Sequence, residues 1–430
     1  MFARHTPSAA PLALFVAAGL FVAAHAQEPA GTTAPATTPA AVGPGLGAPA
    51  ATGTAAPAPV TSGSPEFDAL IKKWDDLRDQ MLQAQVDYKL AKPEGRAAIQ
   101  DKFEQLHLDG EKLQPELLKA AEAGLAKDPK GVAFTTFLAS FANGLYLQDR
   151  YDESLKIAEK LIDAKFENKR IYNLAGKCAF NLCDFDKAEK YLKTAQEGSA
   201  LDGRADGYLQ NIAAYKTLWK KEQDIRAKEE KDAADPAKAL PRVLLKTTEG
   251  DIVLELFENE APQTVGNFVN LVEKGFYNGV SLHRVIREFM AQGGDPNGNG
   301  TGGPGYYIYD ETGKDDRRLH FRGALSMAHS GVPNSGGSQF FITFCPTANL
   351  DGKAVNPKTE QIPHTVFGRV VEGFDVLPKL QRRDRTENPH GGTSAAPLPP
   401  ADKIIEAKVL RKRNHAYEPT KLPAPKINGT

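Results

Sequence analysis

The spacing of apolar residues divides the chain into segments of different period. An unbroken apolar run, Pro11-Leu-Ala-Leu-Phe-Val-Ala-Ala-Gly-Leu-Phe-Val-Ala-Ala24, comes first. Residues 27–64 show no period and are dominated by Ala, Pro, Thr and Gly. From residue 66 to about residue 233, apolar residues recur every three or four positions, the mark of helices with one buried face. Phe67, Leu70, Ile71, Trp74, Leu77, Met81 and Leu82 make a first stripe. Ile99, Phe103, Leu106, Leu113, Leu117 and Leu118 make a second, which starts near Pro93 and can break near Gly110. At Val243 the period shortens to that of strands, and two runs joined by Glu249-Gly250 read as a hairpin. Thr264–Lys274 returns to helical spacing, with Val265, Phe268, Val269 and Val272 inward. Later β-rich runs cover 281–285, 324–327, 339–343, 365–371 and 403–410. These runs predict a mostly antiparallel barrel or sandwich with one or two packed helices.

Within the helical stretch a repeat is visible. Tyr151-Asp-Glu-Ser-Leu and Phe185-Asp-Lys-Ala-Glu lie 34 residues apart, and Ala142/Gly176 and Ser154/Ala188 align at the same offset. Small residues let paired helices approach, and an aromatic fills the gap between hairpins. The period and pattern resemble the tetratricopeptide repeat. Only two copies are visible, so the helices at 66–126 and 203–230 are expected to flank or cap them. A helical domain over 66–235 follows, with Pro236 and Pro241 marking its end and a second domain over 242–411.

Composition narrows the functions. The 430 residues suffice for two or three domains. Lys and Arg number 53 against 54 Asp and Glu, a balance that gives no support to a nucleic-acid binder. Cys178, Cys183 and Cys345 form no disulfide or metal-ligand spacing and read as small buried hydrophobes. Arg4 and His5, the apolar run and Ala24-His25-Ala26 fit a secretory signal over 1–26, with Gln27 as the first mature residue. An uncleaved anchor is the alternative, although the run is shorter than the ~20 residues a span needs. The protein is therefore expected to be exported, to the periplasm or beyond. Residues 27–64 read as a disordered linker and 412–430 as a disordered tail.

The segment Leu282-His-Arg-Val-Ile-Arg-Glu-Phe-Met-Ala-Gln-Gly-Gly-Asp295 is followed by Asn299-Gly-Thr-Gly-Gly303, Leu325-Ser-Met-Ala328, Gly337-Ser-Gln-Phe-Phe-Ile342, Leu350-Asp-Gly-Lys353 and His364-Thr-Val-Phe-Gly368. In order and spacing these resemble the cyclophilins. The resemblance implies a closed eight-stranded antiparallel barrel capped by two helices, so the whole chain is expected to be multidomain, all-α followed by mainly-β. It implies peptidyl-prolyl cis-trans isomerase activity on exported proteins, assisting their folding. Its partners would be proline-containing polypeptides, with a possible protein partner on the helical domain. No nucleic acid, metal, cofactor or stable membrane span is called for.

Residue by residue, the resemblance gives Arg284 the catalytic role. It puts Phe289, Met290, Phe341, Leu350 and His364 around a proline ring. Gln292 and Gln339 would hold the substrate backbone, and Ala328 and His329 would form the strand edge on which an extended peptide lies. Arg287 has no such match and reads as solvated. Gly298-x-Gly300-x-Gly302 lacks the lysine-serine and the strand-turn-helix setting of a phosphate loop. Three departures stand out. Asn349 replaces a common large aromatic, His329 replaces a common Asn, and 354–363 is an insertion that can leave His364 in place or displace it. Val332 is a further one-residue insertion. These departures support an alternative, a low-turnover proline-segment binding module with a helical docking domain.

Overall fold

The computed structural model describes residues 62–352, 359, 361–384 and 399–423. The expected signal over 1–26 and the linker up to residue 61 lie outside them. Seven helices come first: α1 Pro65–Leu90, α2 Arg96–Lys127, α3 Val132–Leu147, α4 Tyr151–Asp163, α5 Arg170–Asn181, α6 Phe185–Glu197 and α7 Gly203–Asp232. Ser64 caps α1 by accepting from the Phe67 N–H at 3.4 Å. The second stripe does not break at Gly110, and α2 runs on through Pro115.

The 34-residue offset is built into the packing. Tyr151 and Phe185 open α4 and α6, and both are buried. Ser154 Oγ donates to the Ala142 carbonyl at 2.7 Å where α3 and α4 cross. At the matching crossing a Cβ on Gly176 would come within 2.6 Å of Leu192. The turns repeat as well. Asp149 and Cys183 both have left-handed φ (63° and 64°), as do Lys165 and Ser199 (59° and 53°). Each lets the next N–H reach back to a helix carbonyl, as Arg150 does to Leu145 and Asp184 to Ala179. The aromatic pairs Tyr146–Tyr151 and Phe180–Phe185, at 5.6 and 5.1 Å, extend the alignment. All three cysteines are buried and free.

The second domain is an antiparallel sheet with one helix on it. Its strands are β1 Arg242–Thr247, β2 Gly250–Leu256, β3 Arg284–Ile286, β4 Met290–Gly293, β6 Ala324–Met327, β7 Phe340–Thr343, β8 Val366–Glu372 and β9 Ile404–Arg411, in the order β3-β4-β7-β6-β8-β2-β1-β9. The short β5 Tyr306–Tyr307 pairs separately with β10 Leu422–Pro423. Helix α8, Pro262–Glu273, buries Val265, Phe268, Val269 and Val272. Phe268 meets Phe340 and Phe367 edge-on or tilted at 5.5 and 5.3 Å, which ties the helix to two strands far apart in sequence.

The expected closed barrel is corrected to a curled, open sheet. Closure needs the two edge strands to pair along their length. The three-residue β3 is too short, and its outer edge bonds Arg383 at Val285 instead. Among the described residues, 279–282 meets the start of β9 through the isolated bridge Ser281–Lys403 and the Gly279 N–H to Ile404 carbonyl bond, with no strand ladder. The two capping helices are corrected as well. Among the described residues this domain has one α-helix and, later in the chain, the single turn Leu377–Lys379. Nor are residues 412–423 a disordered tail. Tyr417 is buried and its hydroxyl donates to Glu258 at 2.8 Å, while Asn270 Nδ2 donates to the Tyr417 carbonyl at 2.9 Å.

Helix α7 joins the two domains. Arg318, 1% exposed, lies over the Phe257 ring at 3.7 Å. It donates twice to Glu222 (2.8 and 2.7 Å) and also to Glu229. Burial alone would raise the Glu222 carboxyl, but its hydrogen bonds to Arg318, with Arg226 behind, bring it below its ordinary value. Trp219 packs edge-on against Phe321 at 4.7 Å. Nearer the N-terminus, Asp149 accepts from the Glu288 N–H at 2.8 Å and pairs with Arg382 at 2.5 Å.

Candidate functional site

The β3–β4 hairpin sets the site. Antiparallel register places Arg284 opposite Gln292, and Gln292 opposite Phe341 on β7. The hairpin turns at Glu288, whose φ is 53°. Arg284 is exposed, with its guanidinium carbon 5.8 Å from the Phe289 ring centre. Partial burial lowers its pKa from the usual value, against the pull of Asp384. A guanidinium keeps its charge through such a change.

Beside it lies a small apolar cluster distinct from the main core. Met290, Phe341 and Leu350 are buried there, with Phe289, Ile286 and Ala328 packed on them. His364 closes one side, its ring edge-on to Phe341 at 5.3 Å. Its Nδ1 donates to the Met327 carbonyl at 3.0 Å, which leaves Nε2 as the acceptor. His329 stacks on it at 3.8 Å. Burial, with His329 and His320 nearby, pushes His364 down to about 3, so the ring is neutral at physiological pH. His364 N–H also bonds the Leu350 carbonyl at 3.1 Å. The insertion, whose residues 354–358 and 360 lie outside those described, therefore returns the chain to the pocket wall and leaves His364 in place.

The opposite end is polar. Gln292 Nε2 donates to Gln339 Oε1 at 3.0 Å. Gln339 Nε2 in turn donates to the Gly300 and Gly302 carbonyls at 3.0 and 2.9 Å. The glycine-rich loop is shaped by Asp295, which accepts the N–H groups of Asn297, Asn299 and Gly300. Burial alone would raise Asp295, but these donors hold it below the usual carboxylate value. Ala328 N–H bonds the Gln339 carbonyl at 2.9 Å, extending the β6–β7 ladder to the edge of the pocket. All ten sequence-predicted residues thus gather in or beside one apolar cluster, with Arg284 next to Phe289 and the Gln292–Gln339 pair at its polar end.

A family model described as "Cyclophilin type peptidyl-prolyl cis-trans isomerase/CLD" matches residues 242–409. A peptidyl-prolyl cis-trans isomerase of Helicobacter pylori (strain ATCC 700392 / 26695) is 48% identical over 146 residues, which is 34% of this chain and 82% of that protein. The chain belongs to the cyclophilin-type peptidyl-prolyl cis-trans isomerases. Isomerase cypE of Dictyostelium discoideum is 50% identical over 141 residues, covering 32% of this chain and 83% of its own. A solved cyclophilin-type isomerase of Cryptosporidium parvum is 30% identical, covers 40% of this chain and 99% of that one, and has a TM-score of 0.33.

Supporting residues of the cyclophilin domain escaped the sequence reading. Buried His320 stacks on Phe341 at 5.7 Å. Its ring nitrogens meet Asp351 Oδ1 at 2.6 Å and Ser326 Oγ at 2.8 Å. This fixes the back of the Phe341 ring and anchors the turn that carries Leu350. Asp351 stands in a quoted motif, but its partner is 31 residues away and no local pattern points to His320. Arg287, expected in solvent, lines the groove between the domains.

Proposed function

We propose that this cyclophilin isomerises Xaa-Pro bonds in polypeptides by holding the proline ring among Phe289, Met290, Phe341, Leu350 and His364 while Arg284 stabilises the twisted amide. The carrying observation is the Arg284 guanidinium beside the apolar cluster of Met290, Phe341 and Leu350, 5.8 Å from the Phe289 ring centre. Amide resonance sets a rotation barrier of ~18–20 kcal/mol. Twisting makes the prolyl nitrogen pyramidal and returns its lone pair, which a fixed donor stabilises more than it does either planar form. The neutral His364 keeps a second positive charge out of that wall. Gln292, Gln339, Ala328 and His329 hold the peptide backbone on the other side.

The protein works, in this reading, on exported chains, and its helical domain brings clients to the pocket. A mature N-terminus at Gln27 in the purified protein is the check on export. Binding of unfolded envelope proteins by the full chain, lost when surface residues of α3–α6 are changed, is the check on client delivery. The catalytic assignment is tested by cis-to-trans conversion of a four-residue Xaa-Pro peptide. Arg284→Ala should lower kcat/KM by about 100-fold or more, as removal of an oxyanion-type donor does. Undiminished turnover would move catalysis to another group.

A further inference from the structure

The β3–β4 hairpin that carries Arg284 and Phe289 is lightly held by its own sheet. Strand β3 has three residues and pairs with β4 alone, and a short two-stranded pairing is marginal by itself. The turn puts Glu288 in the left-handed region, φ 53°, which a non-glycine residue keeps only where its surroundings hold it. Part of that hold comes from the sheet side, where Cys345 Sγ donates to the Glu288 carbonyl at 3.2 Å. The rest comes from the helical domain. Asp149, in the α3–α4 turn and 3% exposed, accepts the Glu288 N–H on Oδ1 at 2.8 Å. Its Oδ2 accepts from Arg382 Nη2 at 2.5 Å. The next residue, Arg383, pairs through its backbone with Val285 on the outer edge of β3, at 2.8 and 3.3 Å. One buried carboxylate thus ties the tip of the hairpin to the segment that runs along its edge.

The repeat supplies an internal comparison. Cys183 occupies the same place 34 residues on, with φ 64° against 63°, so the turn itself needs no carboxylate. Phe185 stands where Tyr151 does, so the start of the helix needs the ring but not the hydroxyl. That hydroxyl donates to Asp149 Oδ1 at 2.6 Å and orients the carboxylate for its other bonds. Burying a carboxylate is costly unless it is paired and hydrogen-bonded. Here three donors share its two oxygens, one from its own domain and two from the sheet domain. The polar groups that set Asp149 and Tyr151 apart from Cys183 and Phe185 therefore serve the contact with the hairpin.

We propose that Asp149 is a positioning residue for the isomerase reaction: from the helical domain it fixes the tip of the β3–β4 hairpin, and through the hairpin it sets Arg284 and Phe289 against the proline ring. The helical domain thereby completes the site. The proposal rests on the pocket assignment above. Full-length protein is assayed on a four-residue Ala-Pro peptide. Glycine suits the left-handed turn and removes the acceptor. Asparagine tolerates the same conformation and keeps an oxygen for the Glu288 N–H. Both lose the charge that pairs with Arg382, so both should lower the denaturation midpoint. Asp149→Gly should also lower kcat/KM roughly tenfold, as a small misplacement of reacting groups does. Asp149→Asn should stay within about threefold of wild type. In amide hydrogen exchange, the Glu288 N–H should exchange fast in Asp149→Gly and stay protected in Asp149→Asn. Protection of β6 and β7 in both reports that the sheet is folded. If glycine unfolds the helical domain, Asp149→Ala takes its place with the same expectation. Full turnover in the variant without an acceptor overturns the proposal. Equal loss of turnover in both variants overturns it too, since the contact would then act through stability alone. Arg284→Ala runs alongside: if it spares turnover the pocket assignment fails, whatever the Asp149 variants do.

Discussion

In the helical domain, each helix from α3 to α6 packs on its neighbour in sequence, and the same contacts recur after 34 residues. In the sheet domain, β1 lies between β2 and β9, and the pocket gathers residues from Arg284 to His364. The first domain is assembled from local hairpins and the second from distant segments. Local assembly lets one hairpin carry Gly176 and Leu192 where the other carries Ala142 and Ala158. Distant assembly makes each pocket residue depend on the whole sheet. Helix α7 belongs to both regimes, since one face packs on α6 and the other carries the carboxylates that pair with Arg318.

That contrast places the largest effect where the regimes meet. Arg318→Ala removes the cation that Glu222 and Glu229 share at the joint and leaves them Arg226 and Arg369 respectively, a loss that costs up to about 3–5 kcal/mol. Chemical denaturation should then resolve two transitions, the helical domain separating from the sheet. A single transition at the original midpoint would break the comparison, because α7 would not be a shared element.

A smaller effect is expected inside one repeat. Gly176→Val drives a side chain into Leu192, and overpacking of this kind costs about 1–3 kcal/mol. Because the contacts are local, the denaturation midpoint of the helical domain should fall while four-residue peptide turnover holds. Loss of turnover in step with stability would mean that the two domains are not built independently.

The smallest effect is a pH dependence. His364 is held neutral, with a folded pKa of about 3 against ~6.5 unfolded. Between these values the unfolded chain binds the proton, so stability is full above about pH 6.5 and falls as pH drops. Denaturation midpoints at pH 5, 6 and 7 should show this slope, and His364→Gln should flatten it. An unchanged slope would mean that the ring is not shielded by the pocket.

The motif segments made the cluster legible because its residues sit at fixed offsets on short strands and the turns beside them. The left-handed turns at Asp149 and Cys183 were not legible, since neither is glycine and only the repeat geometry reveals their shared conformation. Nor were β5 and β10, two residues each, which pair across more than a hundred positions. His320 was missed because its role is defined by Asp351, Ser326 and Phe341 together.

The sequence alone determined the order of helical and sheet domains, the 34-residue repeat, the α8 stripe and the motif residues that gather around Met290 and Phe341. These follow from periodicity and from motifs read within one segment. Only the tertiary structure decided that the sheet stays open, that residues 412–423 pack back on α8, that His364 survives the insertion, and that Asp149 of the helical domain meets the β3–β4 hairpin. Each depends on whether distant backbone groups and side chains find partners, and that is a property of the folded surfaces rather than of any local run of residues.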